Sequence, residues 1–129
     1  MGFVDSYRRS VARKQKEIAD LSQSKAREQT KLADLNKRIA SASEAARRAT
    51  SASTLKSKMS DIERYQKEAA SVGKKVADVE EKIARKYKEL HSEQEKLTRE
   101  EQHEFDKQQK AHAQAMRTIS TGMDTLARE

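Results

Sequence analysis

The chain has 129 residues, 28 Lys/Arg against 21 Asp/Glu for a net charge of +7, and neither Cys nor Pro. Without Cys there is no disulfide and no thiolate metal site, and no apolar run approaches the ~20 residues of a membrane span. Leu, Ile, Val and Phe make only 19 of 129 residues, which with this charge suits disorder. Ala, Glu, Lys, Leu and Arg make 67 of the 129, however, and apolar positions recur every seven residues. That combination indicates long helix or coiled coil, because a disordered chain has no reason to keep phase.

The first helix is expected over about 4–49. With Val4 at heptad position a, the a column reads Val4, Val11, Ile18, Lys25, Leu32, Ile39 and Ala46. The d column reads Tyr7, Lys14, Leu21, Glu28, Leu35, Ala42 and Ala49. This is a coiled-coil seam with polar interruptions at Lys14, Lys25 and Glu28, which cost stability and can fix register. Lys25 and Glu28 are close enough to pair with each other. Beside the seam, Ala12, Ala19, Ala26, Ala33 and Ala40 fill five consecutive b positions, and Gln15, Ser22, Gln29, Asn36 and Ser43 the e positions between them. An uncharged column of small residues, with charge gathered on the f, c and g side, is expected to be a second contact face.

Residues 41–54, SASEAARRATSAST, lose the apolar stripe, and a turn is expected at about 50–53, with Ser51, Ser53 and Thr54 as candidate N-caps. The second helix is expected over about 54–117. Leu55, Ile62, Ala69, Val76, Ile83, Leu90 and Leu97 stand seven apart without a miss, a stripe of roughly 65 Å on one helix. Its companion column is expected to change side, from Met59 to Tyr65, Val72 and Val79 and then to Tyr87, with Ala70, Ala77 and Ala84 flanking the stripe. After Leu97 the stripe shifts by one residue to Phe105, His112, Ile119 and Leu126, and Thr118–Gly122 offers a stop. Residues 118–129 are expected to be a linker to a further, C-terminal domain.

Chemistry is sparse. Three widely separated glycines, Gly2, Gly73 and Gly122, cannot form a phosphate-binding loop. His103-Glu104 begins a zinc-protease motif, but Lys107 stands where its second His belongs. Glu100 and His103 match half of a di-iron motif that needs a second copy. No catalytic residue, metal or cofactor is assigned, and the segment is read as a non-enzyme. Residues 1–58 carry +8 and residues 59–129 carry −1, a charge split that makes nucleic acid a candidate partner. The basic residues spread around the helix among acidic ones and read as solvated faces.

The stretch 50–64, TSASTLKSKMSDIER, followed by Lys/Glu-rich helix with HSEQEKLTREEQ, resembles the N-terminal coiled-coil region of bacterial TIR-domain proteins. The resemblance implies a cytoplasmic appendage that self-associates and brings together C-terminal TIR domains that cleave NAD. The catalytic Glu of that family belongs to the TIR domain and has no counterpart here. The expected fold is therefore all-α, an antiparallel helical hairpin self-associating into a bundle. A homodimer is the expected assembly, with a tetramer as the variant. The expected packing residues are Val11, Ala12, Ile18, Ala19, Leu21, Ala26, Leu32, Ala33, Leu35, Ile39, Ala40, Leu55, Met59, Ile62, Tyr65, Ala69, Val72, Val76, Val79, Ile83, Tyr87, Leu90 and Leu97. The competing readings are a basic nucleic-acid-binding coiled coil and a helical adaptor for another protein.

Overall fold

Strong helix formers fill both long segments, and no Pro removes a backbone donor from either. A computed structural model describes residues 2–128, and its two helices form the all-α hairpin expected from the heptads. Helix α1 spans Phe3–Arg47 and α2 spans Ala52–Arg128, with no strand among the described residues. Asp5 lies in the first turn of α1 and Arg47 in its last, each favourable to the helix dipole. Glu44 pairs with both Arg47 and Arg48 at that C-terminal end.

The turn lies two residues earlier than expected. The cause is the choice of cap: the Thr54 N–H donates to Ser51 Oγ at 3.1 Å, while the Leu55 N–H donates to the Ser51 carbonyl at 3.1 Å. Ser51 is thus the N-cap of α2, and Ser53 and Thr54 are already helical. At the other end, α2 does not stop at Thr118–Gly122 but continues to Arg128. Thr118 and Thr125 donate their hydroxyls to the carbonyls of Gln114 and Thr121, both at 3.0 Å, and Gly122 does not adopt positive φ. Residues 118–128, expected as a linker, are helical.

The chain divides into two compact units. In Lys14–Lys88 the two helices run antiparallel from the turn, and the most buried side chains are Ile18, Leu35, Ala42 and Val72. The other unit joins the N-terminal segment up to Arg13 with α2 from Glu89 onward, and Val11 and Leu90 are its most buried side chains. Among the described residues no side chain is fully enclosed, and no helix is long and apolar enough to cross a membrane.

Ser51→Ala removes the cap and should lower stability by about 1 kcal/mol. Ser53→Ala, inside the helix, should change it by less than about 0.5 kcal/mol. Urea unfolding of both variants checks the assignment, and equal losses would refute it.

Candidate self-association surface

We letter the heptads a to g, with Val4 at a in α1 and Leu55 at a in α2. Every a and d residue of α1 from Val4 to Ala46 is buried or half-buried, including Leu21, Leu32 and Ile39, as is Ala49 just beyond its end. The seam expected from the sequence is therefore the surface that meets α2. On α2 the a residues Ile62, Ala69, Val76, Ile83, Leu90 and Leu97 are likewise buried or half-buried, whereas Leu55 is 41% exposed at the turn.

The companion column of α2 does not change side. It stays at d throughout, through Lys58, Tyr65, Val72, Val79, Lys86, Glu93 and Glu100, each buried or half-buried. Met59 and Tyr87, expected in the seam, are 58% and 56% exposed. Position in the heptad outweighs residue type here. Long polar side chains lay their methylenes along the seam and carry their charges to its edge. Lys86 reaches Glu17 at 2.9 Å, and Lys25 reaches Glu80 at 3.4 Å. Lys25 thus pairs across the hairpin, not with Glu28. Glu28 accepts instead from Lys31 at 3.4 Å, and its Oε2 is buried without a hydrogen-bond partner.

These contacts set the register. As α1 advances from Glu17 through Lys25 to Arg38, its partners on α2 recede from Lys86 through Glu80 to Tyr65, whose ring lies 5.9 Å from the Arg38 guanidinium. Lys25 then stands level with Val79 and Glu28 with Val76, a polar residue on one helix opposite an aliphatic one on the other. Arg64 covers the same Tyr65 ring at 5.1 Å. Hydrogen bonding and charge from Tyr65, then the charge of Asp61, raise the Arg64 guanidinium above its ordinary value, so it is cationic at any working pH.

Within Lys14–Lys88 the two flanks of the seam differ sharply. One is a groove of about 400 Å³ lined by Lys31, Asp34, Leu35 and Arg38 from α1 and by Glu68, Ser71, Val72 and Lys75 from α2. Apart from the seam residues Leu35 and Val72, all of these occupy g and c positions, so the g and c sides of both helices share this charged face. The b and e columns consequently share the opposite face. From α1 it receives Ala19, Ser22, Ala26, Gln29, Ala33 and Asn36; from α2 it receives Gln66, Ala70, Gly73, Ala77, Glu80, Ala84 and Tyr87. Between Gln66 and Tyr87 the α2 part of this face carries one charge, Glu80, which is tied to Lys25; nearer the turn the same columns hold Lys56 and Glu63.

All of these residues are exposed except the half-buried Gly73. The Ala column, including Ala12 and Ala40, is exposed along its whole length. A Cβ at Gly73 would meet nothing within 4 Å, so nothing inside the chain calls for glycine. It still costs ~0.5–1 kcal/mol relative to Ala in mid-helix. The sequence marks both the α1 column and Ala70, Ala77 and Ala84 beside the α2 stripe, but not that the two lie on one side of the hairpin. No group of three or more His, Cys, Asp or Glu among the described residues could hold a metal. Comparison with protein-family models, with curated proteins and with solved structures returned no match.

Replacing Glu28 with Leu removes a buried, half-satisfied carboxylate from a d position and should raise stability by ~1–2 kcal/mol. Glu28→Gln keeps a polar group there and should gain little. Urea midpoints at dilute protein test this, and a loss of stability in Glu28→Leu would contradict the seam description.

Proposed function

We propose that this segment is an oligomerisation region, in which two hairpins pair through the uncharged b/e face to hold attached effector domains together. The observation that carries the reading is the contrast between the two flanks. A face meant only for water has no use for this near-absence of charge across two helices, and small residues allow another helix to approach closely. Two such hairpins form a four-helix bundle, and an isologous pairing needs no charge complementarity from a neutral face.

The nature of the effector rests on the resemblance already described. Residues 50–64, which supply the N-cap and first turns of α2, resemble the coiled-coil region of bacterial TIR-domain proteins. The attached domain is accordingly read as a C-terminal TIR domain that cleaves NAD. Tethering two such domains raises their mutual concentration to roughly millimolar for short connections.

The experiment is Ala33→Glu. A carboxylate forced against a second helix combines overpacking, ~1–3 kcal/mol, with burial of an unpaired charge. Because each substitution occurs twice, the expected loss is ~3–6 kcal/mol per dimer, roughly 100- to 10,000-fold in the association constant. Arg27→Glu, on the charged c column, should leave association unchanged. In sedimentation equilibrium Ala33→Glu should lose one association step with its helical circular dichroism intact, and the parent protein should lose NAD cleavage at dilute enzyme. Undiminished association of Ala33→Glu would refute the proposal.

A further inference from the structure

Of the 20 Ser and Thr residues in the chain, Thr50 alone has basic residues at both the third and the second position before it, Arg47 and Arg48. The same residue falls in the break between the helices. From Phe3 to Arg128 the backbone is helical everywhere except residues 48–51. Nothing in the packing of the hairpin requires these two facts to coincide.

The charge around Thr50 is one-sided. Residues 45–60 hold Arg47, Arg48, Lys56 and Lys58 and no Asp or Glu. Arg47 and Arg48 pair with Glu44, yet their side chains are 78% and 79% exposed, so both guanidinium groups remain open to a further carboxylate. The neighbouring hydroxyls are not equivalent. Ser51 Oγ accepts from the Thr54 N–H at 3.1 Å and donates to Thr54 Oγ1 at 2.8 Å, which commits it to the cap. Thr30 follows Arg27 by three residues, but it lies inside α1, has Glu28 two residues before it, and donates to the Ala26 carbonyl at 3.0 Å. Thr50 is exposed, and its hydroxyl makes no hydrogen bond with the described residues.

We propose that Thr50 is a phosphoacceptor for an arginine-directed protein kinase. Arg47 and Arg48 supply the recognition, because planar guanidinium groups pair bidentately with the carboxylates of an acidic cleft. The non-helical backbone supplies access, because in-line transfer needs the acceptor oxygen presented clear of neighbouring turns. Thr50 Oγ1 attacks the γ-phosphorus of magnesium-bound ATP, the bond from that phosphorus to the β,γ-bridging oxygen breaks, and ADP leaves. The hydroxyl proton passes to the kinase's catalytic carboxylate. The product adds a charge of about −1.5 to −2 to a segment that carries +4. It offers Arg47 and Arg48 a dianion in place of Glu44, and its charge is favourable just ahead of the first turn of α2. The site lies outside the neutral b/e face, so it stands or falls separately from the proposed pairing.

The full chain is incubated with magnesium ATP and, as the probe, the catalytic subunit of cyclic-AMP-dependent protein kinase, an arginine-directed enzyme. One phosphoryl group per chain is expected by intact mass, and fragmentation of the peptides should place it on Thr50. Thr50→Ala should take up none, and Thr50→Ser should accept it. Arg47→Ala and Arg48→Ala should each lower kcat/KM by roughly 10- to 100-fold, the loss of one charge-assisted contact, with helical circular dichroism unchanged. Absence of incorporation would overturn the proposal. So would labelling of Ser51 or Thr30 as fast as Thr50, or a rate indifferent to both arginine substitutions.

Discussion

A single pair of helices can cover only one stripe on each, and every other feature of this chain follows from that constraint. Two columns per helix meet in the seam, and the remaining five face outward. The result is a thin layer: Ile18, the most buried side chain, is still 6% exposed, and no described side chain is fully enclosed. Domains normally stack a second layer to complete a core. In the proposed assembly that second layer is another hairpin, laid against the neutral b/e face.

The seam itself is not optimised for stability. Lysine and glutamate occupy heptad positions that leucine would fill better, among them Lys25, Glu28, Lys86 and Glu93. Their ion pairs are partly exposed; Lys86 and Glu17 are 32% and 36% exposed, so each adds at most ~1 kcal/mol. What they add is register. A one-heptad slip would separate Glu17 from Lys86 and Lys25 from Glu80 at once. The same slip would set Lys25 and Lys86 opposite uncharged or basic residues in place of those carboxylates.

Much of this was legible in the sequence because heptad periodicity is a geometric signal that survives low hydrophobicity. The a and d columns of α1 and the Leu55–Leu97 stripe were readable residue by residue. The companion column of α2 was not, because Met59 and Tyr87 attract the eye and Lys58 and Lys86 do not. The turn was misplaced by two residues because several adjacent Ser and Thr can each cap a helix, and only the backbone decides which one does. The stop expected at Thr118–Gly122 fails for a related reason: weak helix formers and one glycine lower helix stability but do not break it as Pro would. The shared neutral face required knowing which sides of two helices lie together, and that is set by register, which no single helix reports.

If folding and association are coupled through the neutral face, the most direct measurement is the urea midpoint of the unsubstituted chain over a hundredfold range of protein concentration. Coupling predicts a midpoint that rises steadily with concentration, because the assembled state is favoured by mass action. A midpoint independent of concentration, with a two-state transition at every point, would mean that the thin hairpin is stable by itself and that the neutral face has no second copy to meet.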